Sequence, residues 1–185
     1  MDEKQKIREL LNAFQDGYAK RDIKNLEKFM ELFTPDVEII GTNGVKPGIE
    51  EWYLDQISAK SMIKSDWETW GDLKLDLESA SLKVSETIGW IAAYATVTKT
   101  IGTENYASFL EFTRDFIQDS KLSPQLTLEY ILRGGTNTIF ELSQGENFVW
   151  PLRFTSIVTK SNNAWKFCQI HFSYPTIYFP DVRIL

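Results

Sequence analysis

Residues 165–173 read WKFCQIHFS, an aromatic-rich stretch that predicts a β-strand near the carboxyl end of the chain. A second β-rich segment runs from Phe148 to Ser161, and Asn162-Asn163 separates the two. Asparagine tolerates the positive φ angles that a tight hairpin turn requires. We therefore predict an antiparallel hairpin that pairs residues 148–161 with residues 164–173.

Three helices are expected in the first third of the chain. Apolar residues recur every three or four positions between Glu3 and Lys20, which is the pattern of an amphipathic helix. Asp22 can cap a second helix, which Pro35 ends. The apolar positions of that helix are Leu26, Phe29, Met30 and Phe33. A third helix is expected over residues 49–62, with the buried stripe Ile49, Trp52, Tyr53, Ile57 and Met62.

The sequence also predicts three strands and, after them, one further helical segment. Residues 37–40, 70–78 and 87–100 predict strands, the second by strict alternation of apolar and polar residues. Residues 101–145 instead predict two helices, the second of them beginning at Ser123-Pro124.

Gly134-Gly135 is expected to break or end the second of these helices. Because both flanks return to strands, we interpret residues 101–145 as a helical insertion. It is too short to predict a second domain, so residues 1–185 are expected to form one domain of the α+β class.

Composition excludes several classes of protein. The chain has 185 residues, a net charge of −6 and a hydrophobic share of 43%, which argues for a globular domain and against a surface that binds nucleic acid or anionic lipid. Its one cysteine, Cys168, has no internal disulfide partner. The first residues are charged and no apolar run approaches the roughly 20 residues that span a bilayer. We expect a cytoplasmic protein.

Four segments, in this order, carry a resemblance to a known superfamily: residues 21–26 (RDIKNL), 32–40 (LFTPDVEII), 47–50 (PGIE) and 165–173. Their order resembles the nuclear-transport-factor-2-like superfamily, in particular its SnoaL-like and ketosteroid-isomerase-like branches. The resemblance implies a cystatin-like α+β fold, in which a curved, mostly antiparallel sheet wraps around the amino-terminal helices and encloses a cone-shaped pocket. It also implies a homodimer formed through the outer sheet face. Members include isomerases, dehydratases, cyclases and binders without catalytic activity.

His171 is the first candidate for a functional residue, because it is the only histidine and histidine is the residue type most often used for acid/base chemistry near neutral pH. If Trp165 faces the pocket, strict alternation places Phe167, Gln169, His171 and Ser173 on the same face. His171 then has three possible roles, as a structural hydrogen-bonding group, a pocket contact or a general acid/base. Each remains open from the sequence.

Arg153 alternates with Val149, Pro151, Thr155 and Ile157, which places a charge on a fairly apolar strand face. Such a charge needs a partner. The partner is either a carboxylate of the protein, with Glu38 and Glu141 as candidates, or an anionic group of a ligand.

Aromatic rings are numerous enough to line a cavity for a small apolar or aromatic molecule. The candidates are Trp52, Trp70, Trp90, Tyr94, Phe14 and Tyr18. Any one of them could equally belong to the core. The predicted ligand-binding set is Arg153, Gln169, His171, Trp52, Trp90, Tyr94 and Tyr18. No spacing of ligands predicts a metal site, and no cofactor is implied.

Three functions are compatible with these observations. The first is a binder of a small molecule, and the second is a cofactor-independent isomerase or lyase with His171 as general acid/base. The third is a dimeric interaction module, which an interior without a cavity above about 300 Å³ would favour. The isomerase constellation itself is not supported, because the resemblance places Phe14 at the family's donor tyrosine and Gly41 near its base. Asp36, Glu38 or Tyr18 would have to act in another geometry.

Overall fold

The first helix has the predicted bounds. In the computed structural model, which describes residues 2–100 and 102–175, α1 spans Glu3–Lys20. Asp2 caps it by accepting a hydrogen bond from the backbone N–H of Lys4, and Arg21 ends it in the left-handed conformation. Its buried residues are Ile7, Leu10, Leu11, Phe14 and Tyr18. The ring of Phe14 lies 4.9 Å from that of Tyr18 and 5.4 Å from those of Phe154 and Phe167, so α1 packs on the sheet through aromatic rings.

The second helix is shorter than predicted. A 3-10 turn, Ile23–Asn25, leads into α2, Leu26–Met30, and β1 then begins at Phe33 and runs as Phe33–Ile40. The prediction that Phe33 belongs to the helix is wrong, because Phe33 pairs with Phe167 of the last strand. Pro35 lies within β1, where the register shifts and the missing N–H is tolerated.

The third helix begins later than predicted and extends further. Trp52–Tyr53 form a short strand, β2, and α3 spans Gln56–Thr69. Asp55 sets the start of α3, since its side chain accepts the backbone N–H of Ser58 at 2.7 Å. The predicted stripe is therefore wrong at most positions, and Ile57 is 81% exposed. The buried residues of α3 are Ala59, Met62, Ile63 and Trp67.

The strands form one curved, open and mostly antiparallel sheet, which confirms the α+β class. Its remaining members are β3, Asp72–Leu75; β4, Ser81–Ser85; β5, Ile88–Thr100; β6, Asn147–Ser161; and β7, Ala164–Ser173. The order is β2-β1-β7-β6-β5-β3, with β4 paired to β5, and β1 and β7 run parallel. Asn162 and Asn163 have φ angles of 50° and 62°, which confirms the predicted hairpin turn.

A bulge at Cys168 corrects the predicted alternation along β7. Ile157 of β6 pairs with Gln169, whereas the next residue, Val158, pairs with Phe167, so Cys168 is the extra residue. Trp165, Phe167, Ile170 and Phe172 are buried on the inner face. Gln169, His171 and Ser173 therefore lie on the outer face, opposite to Trp165. Trp165 and His171 do not share a face.

The chain divides into two compact units, one with the described residues up to Val97 and from Trp150, the other with Thr98–Val149. The second unit contains α4, Glu104–Asp119, and α5, Pro124–Ser143, in close agreement with the predicted insertion. That both units belong to one domain stays a prediction.

Gly134-Gly135 does not break α5, contrary to the prediction. The helix passes through both residues, and the ring of Phe109 on α4 lies against them. A Cβ at Gly134 would lie 2.8 Å from Phe109 Cε2, so the glycine allows the two helices to approach closely. No helix of the described residues is long and apolar enough to cross a membrane. The packing expected of the tail concerns residues 176–185, which lie outside the described residues.

Candidate functional site

A cavity of about 120 Å³ lies in the first unit, between α3 and the residues around β2, and it reaches the surface at the exposed Ser65. It combines apolar walls with two carboxylates, which is the composition of a small-molecule site. The lining residues are Gly41, Thr42, Glu51, Tyr53, Met62, Ser65, Asp66, Trp70 and Phe172.

Asp66 is the most perturbed carboxyl group of the cavity. It follows Met62 by one helical turn, so its carboxyl points to the buried side of α3. The Tyr18 hydroxyl donates a hydrogen bond to Asp66 Oδ2 at 2.9 Å. Burial raises the pKa of Asp66 to about 7, the charge of Glu51 adds to the rise, and the Tyr18 hydrogen bond and the charge of Arg21 oppose it. The same burial and the Asp66 charge raise the pKa of Tyr18 well above its ordinary value.

Glu51 is the second carboxylate, held by the turn that follows β1. Its Oε2 accepts the backbone N–H of Asn43 at 2.9 Å, and its Oε1 accepts Asn43 Nδ2 at 3.0 Å. Gly41 makes this approach possible, because a Cβ there would lie 2.5 Å from Glu51 Oε2. Glu51 is therefore fixed by the backbone and contributes a positioned negative charge.

Aromatic rings form the apolar part of the cavity wall. The rings of Trp70 and Phe172 lie 5.4 Å apart in an edge-to-face arrangement. Tyr53 contributes a third ring, and burial together with the charges of Glu51 and Asp66 raises the pKa of its hydroxyl. The cavity thus presents rings beside a carboxyl group that can gain or lose a proton near neutral pH.

Most of the predicted ligand-binding residues lie on the outer face of the sheet instead. Two of them, Trp52 and Gln169, bind the same carboxylate. Glu38 accepts hydrogen bonds from Trp52 Nε1 at 2.6 Å and from Gln169 Nε2 at 2.5 Å. His171 neighbours Ile40 of β1 and Thr155 of β6. It lies on the face of β7 opposite to Phe172, which lines the cavity.

Arg153, Trp90 and Tyr94 also lie outside the cavity. Arg153 is exposed and donates from Nη2 to the carbonyl oxygen of Tyr174 at 2.9 Å, so the predicted pairing with Glu38 or Glu141 is not the observed one. Trp90 and Tyr94 on β5 are 45% and 53% exposed. The ligand-binding role of the outer-face residues stays a prediction.

Two predicted rings do belong to the cavity region. Trp70 lines the cavity, and Tyr18 reaches it through Asp66. Asp66, Glu51 and Tyr53 line the cavity but were not among the predicted site residues. A signal for Asp66 existed, because it follows Met62 by four residues and Ile63 by three, which places a carboxyl group on the buried stripe. The misplaced bounds of the third helix concealed it.

In the described part of the chain, no group of three or more His, Cys, Asp or Glu residues is placed so that it could bind a metal ion. Cys168 is a free thiol whose pKa burial raises, which disfavours the reactive thiolate.

Comparison with known proteins identifies the family and supports the fold. The sequence model of the SnoaL-like domain family matches residues 7–120. An NTF2-like protein of unknown function from Pseudomonas putida KT2440 aligns with a TM-score of 0.55 at 9% identity, over 92% of this chain and 85% of that one. A protein with a cystatin-like fold from Nostoc punctiforme aligns with a TM-score of 0.54 at 13% identity, over 98% and 95%.

A candidate dehydratase of the NTF2-like family from Streptomyces avermitilis is similar to the same degree. It aligns with a TM-score of 0.55 at 11% identity, over 92% of this chain and 95% of that one. At such low identity these structures show the fold alone. No curated protein matches the chain.

Proposed function

Because the chain belongs to the family of SnoaL-like domains, we propose that it binds a small molecule in the Asp66 cavity. The observation that carries this proposal is the Asp66 carboxyl group, which lies in a cavity that opens at Ser65 and accepts a hydrogen bond from the Tyr18 hydroxyl. A desolvated ionisable group that faces a cleft is a candidate for a functional residue.

The volume limits the ligand. An apolar cavity of about 150 Å³ holds benzene, and the Asp66 cavity measures about 120 Å³. The enclosed part of the ligand is therefore no larger than one six-membered ring, and any larger molecule must extend past Ser65 into solvent.

The test compares two substitutions on the same face of α3. Ser65→Trp closes the mouth of the cavity, whereas Ser61→Trp places the same ring one turn away, outside the lining. We expect compounds from a fragment library, detected by ligand-observed NMR, to bind the wild type and Ser61→Trp but not Ser65→Trp. Equal binding to both variants would contradict the proposal.

A proton-transfer reaction is the second candidate function, favoured by the pKa of about 7 at Asp66. A general acid/base works best when its pKa lies near the operating pH. Asp66, rather than His171, would take the α-proton of a β-hydroxy ketone and return that proton to the departing hydroxyl. The α-C–H and β-C–O bonds break, water leaves and the C=C bond of an enone forms.

A panel of small β-hydroxy ketones, followed by the absorbance of the enone, tests this reaction. Activity is expected in the wild type and in His171→Ala and is expected to be lost in Asp66→Asn. If activity is lost in His171→Ala and retained in Asp66→Asn, the acid/base role belongs to His171 instead.

Self-association is the third candidate. The cavity is below the size of about 300 Å³ that typical ligand pockets reach, and the outer sheet face exposes Ile88, Trp90, Tyr94 and Ile157. That face also carries Glu38 and Arg153, charges of opposite sign, which can pair with each other across a two-fold interface. We propose that a second copy of the chain covers it.

A further inference from the structure

We propose that the Asp66 cavity selects small organic cations, of the protonated-amine class, over neutral and anionic molecules of the same shape. The inference rests on the proposed function, since it names the ligand class of the same cavity. Its basis is the placement of two carboxylates and three aromatic rings around one small space.

The charges that line the cavity have a single sign. Glu51 and Asp66 are acidic, and none of the other lining residues, all within the described chain, is basic. Arg21, whose charge also acts on Asp66, is engaged elsewhere. Its Nη2 lies 2.9 Å from Asp72 Oδ1, and its Nε donates to the carbonyl oxygen of Tyr18 at 3.1 Å. An anionic ligand would meet two carboxylates in a partly desolvated site, whereas a cation would compensate them.

Acceptor capacity remains for the ammonium group of a ligand. An ionised carboxylate offers about four lone-pair sites, and the Tyr18 hydroxyl occupies one site on Asp66 Oδ2. An ammonium N–H donating to Asp66 would form a charge-assisted hydrogen bond, which is about twice as strong as a neutral one.

The rings favour the same class of ligand. Tyr53 and Trp70 present π systems to the cavity, with Phe172 packed edge-to-face on Trp70 at 5.4 Å. Aromatic faces attract organic cations, most strongly where water is excluded. The rings also give an apolar surface to the carbon part of an amine, which a hydrated inorganic cation would not use.

Binding should depend on pH through Asp66. The charged and titratable groups that face it are Tyr18 and Arg21 from α1, and Glu51 and Tyr53 from β2 and the residue before it. Since the pKa of Asp66 is about 7, a cation binds the ionised site more tightly at pH 8.5 than at pH 5.5. The affinity for a neutral ligand lacks this increase.

Three probes of similar size that share a phenyl ring test the selectivity on the full chain: benzylammonium, benzyl alcohol and benzoate. We expect chemical-shift titrations at pH 8.5 to give benzylammonium an affinity about tenfold above that of benzyl alcohol, the difference between a charge-assisted and a neutral hydrogen bond. Benzoate is expected to bind most weakly. For benzylammonium, the affinity should fall about tenfold between pH 8.5 and pH 5.5.

Asp66→Asn supplies the variant, with Glu38→Gln on the outer face as the matched carboxyl-to-amide control. Asp66→Asn should abolish both the preference for the cation and its pH dependence, and Glu38→Gln should leave both unchanged. If Asp66→Asn does not fold, the wild type alone tests the selectivity. A benzylammonium affinity that does not change between pH 8.5 and pH 5.5 would then contradict it.

The outcomes separate the two proposals. Benzyl alcohol binding as tightly as benzylammonium, with both blocked by Ser65→Trp, would overturn the cation selectivity and retain the small-molecule site. Binding of the probes that survives Ser65→Trp would overturn both. Failure of all three probes to bind at pH 8.5 would overturn the selectivity, while other fragments in the library still test the cavity.

Discussion

Asp66 shows how one residue changes its chemistry with its place in a helix. On an exposed turn of α3 it would be an ordinary carboxylate, but one turn after Met62 it faces the cavity and the Tyr18 hydroxyl. The aromatic residues Tyr18 and Trp70 were predictable from the sequence as cavity candidates. Asp66 and Glu51 were not predicted, because their role depends on where α3 and β2 begin. The cap at Asp55 sets the start of α3, and the predicted helix placed that start too early.

The raised pKa of Asp66 predicts a pH-dependent stability. The folded-state value is about 7 and the ordinary value is 3.8, so between these pH values the folded protein keeps a proton that the unfolded chain loses. Stability from this group is therefore present at low pH and is lost as the pH rises through about 7. From pH 5 to pH 7 we expect the wild type to lose about 2 to 3 kcal/mol of unfolding free energy relative to Asp66→Asn, at about 1.4 kcal/mol per pH unit.

Urea denaturation of both proteins at pH 5, 6, 7 and 8 measures this difference. Glu38→Gln is the control, and its stability relative to the wild type should not follow the same course. Parallel pH profiles for the wild type and Asp66→Asn would mean that the Asp66 carboxyl is solvated.

Among the elements, β7 determines which residues belong to the site. The sequence predicts the strand and its turn correctly, since Asn162-Asn163 and the aromatic pattern are local signals. The bulge at Cys168 is not a local signal, because it arises from the pairing of β7 with β6. Because of this extra residue, His171 and Gln169 lie on the outer face. These two predicted site residues are therefore not part of the cavity.

The contact between α4 and α5 predicts an order of stability for two neighbouring substitutions. Alanine in place of glycine favours a helix by about 1 kcal/mol. At Gly135 a Cβ would lie 3.3 Å from the Phe109 ring, whereas at Gly134 it would lie 2.8 Å away. Gly135→Ala should therefore raise the thermal midpoint of the helical signal in circular dichroism more than Gly134→Ala does. The reverse order would show that Phe109 does not pack on α5 as described.

Glu3 connects the first turn of α1 to the β6–β7 hairpin. Its Oε2 lies 3.0 Å from Lys160 Nζ and accepts Trp165 Nε1 at 2.7 Å. Hydrogen bonds from Lys6, Lys160 and Trp165 lower the pKa of Glu3 from 4.5 to about 2. The stabilisation is thus present above pH 4.5 and lost as the pH falls through about 2.

Glu3→Gln should lower the melting temperature at pH 7, and the difference from the wild type should shrink toward pH 2. Glu9→Gln, an exposed carboxylate on the same helix, is the control. A melting temperature of Glu3→Gln equal to that of the wild type at pH 7 would show that this connection adds nothing to stability.

For the whole molecule, the superfamily and the α+β class could be predicted from the sequence, because they follow from the order of the elements. Which residues lie on the inner face of the sheet and which on the outer face could not be predicted, since this depends on how the strands pair. The outer face exposes the rings of Trp90 and Tyr94 together with Ile88 and Ile157. Because contiguous exposed apolar patches are typical of interaction surfaces, these side chains are the basis of the proposed self-association.

Sedimentation velocity at micromolar concentration tests self-association through the outer face. We expect the wild type to sediment as a dimer and Tyr94→Glu to sediment as a monomer. Ile57→Glu is the matched control, because Ile57 is an exposed apolar residue on α3, and it should leave the dimer intact. A monomeric wild type, or equal dissociation by both variants, would contradict the proposed interface.

The desolvated Asp66 carboxyl group is the feature on which the proposed ligand site depends. The most direct test follows the ¹³C carboxyl resonance of Asp66 by NMR from pH 3 to pH 9, with and without benzylammonium. We expect a midpoint of about 7 in the free protein and a lower midpoint when the cation is bound. A midpoint near the ordinary 3.8, unchanged by benzylammonium, would rule out Asp66 as the desolvated group of a ligand site.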